Sequence, residues 1–586
     1  MSIDSADARH GTSFDDDPSM TTEMTTERFD VVVIGAGAAG MTAAAVAAAE
    51  GQRVLLVEHA QQVGGTTAIS GGMVWVPANH KMAEAGIPDS LDAARTYLRN
   101  TMPEPDDAGA LEAFLERGPE AIRYLADRTS VQLQPVRTYP DYYPDRPGAT
   151  AGGRVLEPVP FDAGTLGPAF ALLRPPLPEF MLFGAMMVSR SDIPHLRRMA
   201  RSPSSALHVG KLIARYAMQR LRAPRGTTLY LGNALAGRLL KSVRDLGVEL
   251  RTGTSVLGLL SENGRVTGVA LESSGRRRKV AAAGAVILAC GGISHDAQLR
   301  ARYMPAGVDS LSTTVPSGAS LSGAALAQSA GARLSRAGAR QAFWVPASTF
   351  TRRDGSAGVF PHTVTDRGKP GIIAVDRLGR RFVNEGVSYH EFVLGQLRAG
   401  ANALPAWLIC DRRFLWKYGL GCVQPFTLST ARLVDSGYLK RADTLAGLAR
   451  ELGVPAPALE ETVQVFNADA RTGVDTEFGR GSDIYQRHLG DADHQPNPCV
   501  APIEQAPFYA VAVRPADLGM AAGVVVDASA RALASNGAPI PGLYACGNDM
   551  ESVMNGAYPG PGITLGPALV FGYIAARHAA RRVAAP

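Results

Sequence analysis

A β-branched run followed by closely spaced glycines near the N-terminus constrains the fold more than any other feature of the chain. Residues 31–34 are Val-Val-Val-Ile, which is typical of a buried parallel strand, and Gly35-Ala-Gly37-Ala-Ala-Gly40 follows and leads into an alanine-rich segment. A second apolar run, residues 53–57, ends at Glu58. Strand, glycine turn, helix, strand and acidic residue in this order predict a dinucleotide-binding β-α-β unit.

Each part of this unit has a physical role in holding a dinucleotide. Gly35 permits the sharp turn, Gly37 lets the backbone approach a pyrophosphate, and Gly40 lets the helix pack against the strand. The helix N-terminus favours anionic phosphates, and the carboxylate of Glu58 can accept a hydrogen bond from a ribose hydroxyl. The cofactor contacts predicted in this unit are Gly35, Gly37, Ala38, Ala39, Gly40 and Glu58.

Additional glycine-rich segments favour FAD over NAD as the dinucleotide. The stretch GGTTAISGGMVW, residues 64–75, follows the second strand at once, and a simple NAD domain does not need it. Residues 284–294 and 542–549 are two more apparent strands that end in Gly-Gly and in Gly-Asn-Asp. Segments near both ends of the chain are therefore expected to form one large FAD site. Its further predicted contacts are Gly65, Thr66, Thr67, Ser70, Gly71, Gly72, Val256, Gly291, Gly292, Gly547, Asn548, Asp549, Gly562 and Leu565.

Composition excludes several other classes of protein. A chain of 586 residues with 46% hydrophobic and 19% charged residues is long enough for more than one ordered domain. A net charge of +5 is too small to indicate nucleic-acid binding. The five scattered cysteines predict neither a disulfide framework nor a metal site and fit a reducing cytoplasm. Residues 1–27 are polar, lack a signal-peptide pattern and are expected to be a disordered tail, and no apolar run suggests a membrane span.

From about residue 29 to about residue 580, the chain resembles the flavoprotein superfamily of fumarate reductases, succinate dehydrogenases, L-aspartate oxidases and 3-ketosteroid dehydrogenases. The stretch GIIAVDRLGRRFVNEG, residues 371–386, matches the G-x-R-F-x-N-E segment of that superfamily. The resemblance implies an α/β fold, in which a Rossmann-like FAD-binding domain of the glutathione-reductase type is interrupted by an α+β catalytic domain. We expect the FAD-binding domain at 28–338 and 514–586 and the catalytic domain at 339–513.

Two local features distinguish between the branches of this superfamily. In the dicarboxylate branch an arginine closely follows the Asn-Glu pair, whereas here Tyr389 follows and the next arginine is Arg398. Members with a covalent flavin carry a histidine before their glycine-rich segment, where this chain has Gly-Gly-Thr-Thr at residues 64–67. We therefore expect noncovalent FAD and a substrate other than a dicarboxylate.

Within the superfamily the chain is most similar to the 3-ketosteroid Δ1-dehydrogenases. The similarity places the three catalytic tyrosines of that family on Tyr142, Tyr389 and Tyr558, and its backbone donor on Gly562. Tyr143 is the rival to Tyr142. The stretches that carry the similarity are TYPDYYPDRPG (138–148), NEGVSYHEF (384–392), AYPGPG (557–562) and, as a less functional but distinctive stretch of the catalytic domain, EFGRGSDIY (477–485).

The resemblance implies 1,2-desaturation of a 3-ketosteroid, with a proton lost from C2 and a hydride passed from C1 to the flavin N5. The Tyr558 hydroxyl and the Gly562 N–H would stabilise charge on the C3 oxygen. Tyr389 would be the base, and a hydrogen bond from Tyr142 would stabilise its phenolate. Since an ordinary tyrosine has a pKa of about 10, an alkaline activity optimum is expected. The electrons would leave to an external acceptor, for which a quinone is one candidate.

Three alternatives remain open at this stage. The first is Δ4-desaturation of a saturated 3-ketosteroid, against which the Tyr-Pro-Gly-Pro-Gly stretch argues. The second is a fumarate-type reductase acting on another substrate, which the missing arginine opposes. The third is a flavoprotein without enzymatic activity, for which the three tyrosines would be a coincidence.

Residues 162–226 form an insertion that combines apolar and basic segments. The Met-rich stretch PEFMLFGAMMVSR is followed by many arginines and few acidic residues. Such a pairing suits peripheral contact with an anionic membrane, which would allow a cytoplasmic protein to take a lipid-soluble substrate from the bilayer. An ordinary lid or subunit contact is the other interpretation. The basic residues are Arg190, Arg197, Arg198, Arg201, Lys211, Arg215, Arg220, Arg222 and Arg225.

Overall fold

The computed structural model describes residues 27–103, 109–189, 191–199, 201–309, 311–316, 318–336, 342–363 and 366–584. The expected disordered tail therefore lies outside the described residues, except for Glu27. This residue is the first of the N-terminal strand, whose backbone pairs with the neighbouring strand from that position onwards. Arg190 of the insertion also lies outside the described residues.

The strands are numbered in chain order. They are β1 (Glu27–Ile34), β2 (Val54–Val57), β3 (Val74–Trp75), β4 (Leu133–Pro135), β5 (Val155–Pro158), β6 (Phe161–Asp162), β7 (Thr228–Leu229), β8 (Glu249–Arg251), β9 (Thr254–Glu262), β10 (Arg265–Ser273), β11 (Arg276–Leu288), β12 (Ala342–Thr351), β13 (Ala357–Pro361), β14 (Ile372–Val375), β15 (Ala406–Asp411), β16 (Lys440–Ala442), β17 (Phe508–Met520), β18 (Arg531–Leu533) and β19 (Pro539–Ala545).

The α-helices are numbered in the same way. They are α1 (Ala38–Ala49), α2 (Gly65–Ile69), α3 (His80–Glu84), α4 (Leu91–Thr101), α5 (Ala110–Arg128), α6 (Asp192–Arg198), α7 (Pro203–Arg220), α8 (Leu231–Asp245), α9 (Ala297–Tyr303), α10 (Gly323–Ser329), α11 (Tyr389–Ala399), α12 (Arg412–Tyr418), α13 (Ala431–Asp435), α14 (Leu445–Leu452), α15 (Ala456–Thr472), α16 (Ile484–Leu489) and α17 (Leu565–Ala584).

The larger sheet contains the dinucleotide-binding unit. Its main strand order is β18-β19-β11-β1-β2-β8, and the pairs β19-β11, β11-β1, β1-β2 and β2-β8 are all parallel. β1 and β2 have fully buried apolar ends, as expected for parallel strands that are covered on both faces. The β-α-β unit is therefore present, and its second strand begins at Val54, one residue later than expected. α17, from the C-terminal end of the chain, packs against α1.

The second sheet is antiparallel and belongs to the expected catalytic domain. Its order is β13-β12-β17-β15-β14, with β16 on β17. β17 runs unbroken from Phe508 to Met520, so the expected domain boundary between 513 and 514 falls inside a strand. The strand continues because its far end pairs with β12, where Met520 lies opposite Ala342. The second sheet therefore extends to Met520, past the expected boundary.

The insertion begins and ends at a small two-stranded ribbon. β6 and β7 pair antiparallel, so residues 163–227 leave and re-enter the fold at one point. α6 and α7 lie within the insertion and contact each other. Among the described residues, no helix combines the length and the apolar character that a membrane crossing requires.

Candidate active site

One cavity of about 890 Å³ is lined both by the glycine-rich segments and by the tyrosines that the sequence singles out. Tyr142, Tyr389, Tyr558 and Gly562 all lie on its wall. Of the residues expected to contact the cofactor, Gly40 and Asp549 do not line it. Those that do are Gly35, Gly37, Ala38, Ala39, Glu58, Gly65, Thr66, Thr67, Ser70, Gly71, Gly72, Val256, Gly291, Gly292, Gly547, Asn548, Gly562 and Leu565.

The glycine turn before α1 has the shape of a phosphate cradle. Gly37 is the N-cap of α1, and the Thr67 hydroxyl accepts a hydrogen bond from the Ala38 N–H at the start of the helix, at 3.1 Å. A Cβ atom on Gly37 would meet nothing within 4 Å, so the space beside it is open to a ligand. Because the N-terminus of a helix attracts anions, this end of the cavity fits a pyrophosphate.

Gly40 has a packing role rather than a ligand-binding one. A Cβ atom at this position would lie 1.8 Å from the Gly35 carbonyl oxygen, so only glycine allows α1 to sit this close to the turn. The predicted role in helix–strand packing therefore matches the geometry, although the residue itself lies behind the cavity wall.

The Glu58 carboxylate is fixed at the carboxyl end of β2. One oxygen accepts a hydrogen bond from the Ala36 N–H at 2.8 Å, and the other accepts from the Ala60 N–H at 2.9 Å. An ionised carboxylate has about four lone-pair sites, so each oxygen can still accept a ligand hydroxyl. Glu58 thus lines the cavity in an orientation that suits a ribose.

Asp549 is buried and does not line the cavity, although the sequence predicts that it contacts the cofactor. Its carboxylate accepts hydrogen bonds from the backbone N–H groups of Cys290 and Gly292. It thereby ties the end of β19 to the turn after β11, where Gly291 has open space beside its Cα. Burial raises the pKa of Asp549. Asp549 therefore fixes the backbone of the turn at 290–292, which lines the cavity.

Three tyrosines from distant parts of the chain meet on the wall of the same cavity. The Tyr389 hydroxyl donates to the Tyr558 hydroxyl at 2.8 Å, and their rings pack edge to face with centroids 5.1 Å apart. The Tyr142 ring stacks on the Tyr558 ring at 5.6 Å and meets the Tyr389 ring edge-on at 5.8 Å. All three side chains are buried. Burial raises the pKa of each, because it removes water from the charged form.

Tyr142 and its neighbour Tyr143 face in different directions. The Tyr143 hydroxyl donates to Glu391 at 2.7 Å, and Tyr143 is not part of the cavity wall. The Tyr142 hydroxyl is buried and forms no hydrogen bond of ordinary geometry with any described residue. Burial raises the pKa of Tyr389, and the Tyr142 hydroxyl beside it acts in the opposite direction, which is the direction expected of a bond from Tyr142 to Tyr389.

Hydrogen bonds to its backbone carbonyl groups hold the Tyr-Pro-Gly-Pro-Gly turn in place. The Pro559 carbonyl oxygen accepts from the Tyr142 N–H at 2.9 Å and from the Tyr97 hydroxyl at 2.5 Å. The Gly562 carbonyl oxygen accepts from the Trp75 N–H at 3.1 Å. These bonds fix Tyr142 and the turn relative to each other, and therefore fix where the Tyr558 side chain begins.

Gly562 presents its backbone in a way that only glycine allows. Its φ is +96°, and a Cβ atom would lie 2.5 Å from the Met73 carbonyl group. Within the described part of the chain, its N–H takes part in no hydrogen bond. A backbone donor on the cavity wall and near Tyr558 is thus free to bind a ligand oxygen.

Tyr389 is held at the first turn of α11. The Ser388 side chain caps this helix by accepting from the Glu391 N–H at 3.2 Å. The preceding Asn-Glu pair is structural: the buried Glu385 carboxylate accepts hydrogen bonds from Arg381 and Arg480. Because this network is fully buried, it sets the position from which Tyr389 reaches the cavity.

Sequence reasoning missed two features of the site. Tyr139 and Tyr485 belong to the tyrosine cluster: Tyr139 lines the cavity, and the Tyr485 ring packs on Tyr142 at 4.7 Å. Both occur in stretches that carry the family resemblance, which was the available signal. The insertion also lines the cavity, through Arg174, Pro176, Leu177, Phe180, Met187, Val188, Ser189 and Ile193.

Comparison with known proteins agrees with this geometry. Residues 30–565 match the model of the FAD binding domain family. The chain is 40% identical to a 4-oxocyclohex-2-ene-1-carboxylate 5-dehydrogenase of Sinomonas cyclohexanicum, covering 95% of this chain and 94% of the relative. It is 38% identical to a 3-oxosteroid 1-dehydrogenase of Mycobacterium tuberculosis, covering 95% and 99%.

A solved structure shows the same likeness in three dimensions. The 3-ketosteroid Δ1-dehydrogenase of Sterolibacterium denitrificans, in complex with 1,4-androstadiene-3,17-dione, has a TM-score of 0.87 and is 36% identical. The alignment covers 95% of this chain and 100% of that chain. The expected α/β fold and the FAD cofactor are confirmed. The chain belongs to the family of FAD-dependent oxidoreductases that contains the 3-oxosteroid 1-dehydrogenases.

Proposed function

We propose that this protein desaturates the 1,2 bond of 3-ketosteroids and holds its FAD noncovalently. The observation that carries the proposal is the pairing of Tyr389 and Tyr558, 2.8 Å apart, on the wall of a cavity that Gly562 also lines. The N–H of Gly562 has no hydrogen-bond partner in the part of the chain that the structure describes. That arrangement supplies a base and two donors for one ketone. Residues 63–72, which follow the second strand, contain no histidine, cysteine or tyrosine that could attach a flavin.

The residues divide the reaction between them. The ketone oxygen accepts hydrogen bonds from the Tyr558 hydroxyl and the Gly562 N–H. Tyr389 removes a proton from the carbon next to the ketone, the C–H bond breaks, an O–H bond forms on Tyr389, and the electron pair becomes an enolate. Preorganised donors favour this charge by about 2.7–4 kcal/mol each. When bound, FAD supplies the acceptor for the hydride from the neighbouring carbon.

An apolar wall supports a steroid rather than a small acid as the substrate. The insertion contributes Leu177, Phe180, Met187, Val188 and Ile193 to the same cavity as the tyrosines. A fused hydrocarbon skeleton would bury its surface against these side chains, at roughly 25 cal/mol per Å². The relatives named for steroid oxidation, and the neighbour with a bound steroid, support the same substrate class.

A second candidate substrate is a 4-oxocyclohexane carboxylate. The relative that is 40% identical is named for such a compound, which shares the ring ketone with a 3-ketosteroid. Its carboxylate would need a cation, and Arg174 lies on the cavity wall with a buried Nε that has no partner among the described residues. The tyrosine chemistry would be unchanged.

The insertion also supports peripheral membrane contact. Apolar side chains of the insertion are exposed, with Phe183 at 70% in the segment before α6 and Leu221 at 77% directly after α7. Lys211, Arg215 and Arg220 lie on the same helix and are exposed. Not every basic residue contributes, because Arg225 turns inward to bind Asn233 and Arg198 pairs with Asp493. Exposed apolar groups beside cations fit an anionic bilayer surface, where a quinone could accept the electrons.

Product analysis tests the substrate assignment. The holoenzyme is incubated with androst-4-ene-3,17-dione and an artificial electron acceptor, and the product is identified by mass spectrometry and NMR. We expect the 1,4-diene. Selective turnover of 4-oxocyclohex-2-ene-1-carboxylate would favour the second candidate. A 4-ene formed only from a 5α-saturated 3-ketosteroid would replace the proposal with Δ4 chemistry.

A further inference from the structure

Arg174 brings a positive charge to the cavity wall. Among the described residues that line the cavity, it is the only lysine or arginine. Its Nε is buried and has no hydrogen-bond partner within the described ranges. The acidic residues on the same wall are bonded elsewhere: Glu58 accepts from two backbone N–H groups, and Asp296 accepts from one N–H and one hydroxyl. The guanidinium is therefore available to an anion that enters the cavity.

The backbone of Arg174 lies beside the phosphate cradle. The Arg174 N–H donates to the Val63 carbonyl oxygen at 3.0 Å. The next residue after Val63 is Gly64, whose N–H donates to the Ala36 carbonyl oxygen at 2.8 Å, inside the glycine turn that precedes α1. A single backbone segment therefore separates the glycine turn from Arg174, and hydrogen bonds join all three.

The neighbouring residue directs the Arg174 side chain towards the cavity. Leu173 has an extended backbone and is buried, and its Cδ1 lies 3.6 Å from the position that a Cβ on Gly64 would take. Successive side chains of an extended segment point to opposite sides, so Arg174 faces away from this core and lies on the cavity wall. The carbonyl oxygen of Arg174 accepts from Asn233 at 2.8 Å, and that of Leu173 accepts from Arg225 at 3.2 Å. These bonds fix the point from which the guanidinium extends.

The pyrophosphate of FAD is an anion that fits this part of the cavity. Gly37 and Gly65 face each other there, since a Cβ on Gly65 would lie 3.8 Å from the Gly37 Cα, and both residues line the cavity. The N-terminus of α1 offers roughly half an elementary charge, whereas each phosphate of FAD carries a negative charge. A guanidinium can donate two parallel hydrogen bonds to phosphate oxygens. Arg174 would thus add a full positive charge to the partial charge of the helix.

We propose that Arg174 binds the pyrophosphate of FAD, so that the insertion holds the cofactor as well as forming the apolar wall. The inference rests on the noncovalent FAD of the proposed function and not on which ketone the protein oxidises. Arg174 begins the stretch that brings Pro176, Leu177 and Phe180 to the cavity. Bound FAD therefore ties this stretch to the phosphate cradle and fixes one side of the substrate wall.

The test measures how fast the FAD-loaded protein releases its cofactor. Arg174→Met removes the charge, and Arg174→Lys retains the charge without the planar guanidinium. Arg244→Met is the matched control, because that guanidinium donates to the Leu166 carbonyl oxygen of the insertion at 2.7 Å and lies outside the cavity. The first readout is the rise in fluorescence of free FAD after dilution. The second is limited proteolysis of the insertion with and without added FAD.

We expect Arg174→Met to release FAD at least about tenfold faster than the wild type, since a hydrogen bond to a charged group typically changes an equilibrium by a factor of about 10–100. Arg174→Lys should lie between the two, and Arg244→Met should match the wild type. Added FAD should slow cleavage of the insertion in the wild type and less so in Arg174→Met. An unchanged release rate in folded Arg174→Met overturns the proposal. Should that variant fail to fold, Arg174→Gln, which keeps a polar side chain without the charge, decides alone.

The release measurement needs no substrate, so its outcome is separate from that of the proposed function. A wild-type protein that does not oxidise steroids, but whose Arg174→Met variant releases FAD faster, would refute the proposed function and support the role of Arg174. Steroid oxidation with unchanged FAD release in Arg174→Met would do the reverse. Unchanged release together with a raised KM for 4-oxocyclohex-2-ene-1-carboxylate alone would also overturn the proposal, because Arg174 would then bind a substrate carboxylate.

Discussion

The hydroxyl oxygens of Tyr389 and Tyr558 lie 2.8 Å apart although 169 positions separate the two residues in the chain. One tyrosine begins α11 in the expected catalytic domain, and the other precedes the turn that leads into α17 of the expected FAD-binding domain. The domains therefore meet at the hydroxyl pair. A change in the packing of these expected domains would separate the proposed base from the proposed donor to the ketone.

Tyr558→Phe should slow flavin reduction by steroid by about 10²–10³, because one preorganised donor to the enolate oxygen is lost. Binding of FAD should stay unchanged, since the hydroxyl bonds Tyr389 and not the dinucleotide cradle. Stopped-flow absorbance of the flavin measures the rate. Tyr143→Phe is the matched control, because its hydroxyl bonds Glu391 outside the cavity. Equal rates of flavin reduction in Tyr558→Phe and Tyr143→Phe would show that the Tyr558 hydroxyl does not contribute to the reaction.

Gly562→Ala should lower both stability and activity. Alanine at φ +96° is strained by roughly 1–2 kcal/mol, and its Cβ would press on the Met73 carbonyl group at 2.5 Å. The turn must shift, which moves the backbone donor. Thermal unfolding and flavin reduction measure the two effects. Gly258→Ala, where a Cβ meets nothing within 4 Å, should change neither. An active, stable Gly562→Ala protein would contradict this role.

The value of kcat/KM should rise with pH through the alkaline range. Burial raises the pKa of Tyr389, so the protonated form dominates at neutral pH and the reactive phenolate increases about tenfold per pH unit below that pKa. A profile measured with saturating electron acceptor tests the direction. A rate that falls as the pH is raised from 7 to 9, with the protein still folded, would exclude Tyr389 as the base.

Asp549→Ala should weaken FAD binding by about tenfold or more. The carboxylate accepts from two backbone N–H groups of the turn at 290–292, and losing such bonds costs about 1–3 kcal/mol. The flavin-to-protein absorbance ratio after dialysis reports the loss. Asp527→Ala, which removes a carboxylate from the turn before β18, is the comparison. Full retention of FAD in Asp549→Ala would show that the turn holds its shape without the carboxylate.

Binding to vesicles that contain anionic lipid should decrease with rising salt, because screening weakens the attraction of the basic residues. Replacing the exposed Phe183 and Leu221 by serine should reduce co-sedimentation, while the exposed Leu378 of the catalytic domain serves as the control position. If the wild-type protein does not bind vesicles at low salt, or if the double variant binds as well as the wild type, the insertion does not contact the membrane through these residues. It would then act only as a lid.

Local patterns were sufficient to predict the dinucleotide unit. The apolar run before Gly35, the three glycines and Glu58 each reflect a short-range requirement of one turn or strand. The resemblance to a known family located Tyr142, Tyr389, Tyr558 and Gly562, and all four lie on one cavity wall.

Features that depend on tertiary contacts could not be predicted in this way. The direction of the Asp549 side chain depends on β11, which lies more than two hundred residues earlier in the chain. The end of β17 at Met520 depends on pairing with β12.

Anaerobic mixing of the FAD-loaded protein with androst-4-ene-3,17-dione tests the central claim most directly, because loss of the oxidised flavin band reports hydride arrival. The account predicts rapid bleaching in the wild type and its loss in Tyr389→Phe, with FAD still bound. Bleaching at the wild-type rate in Tyr389→Phe would contradict the assignment of the base. No bleaching of the wild type by any 3-ketosteroid would contradict the proposed function itself.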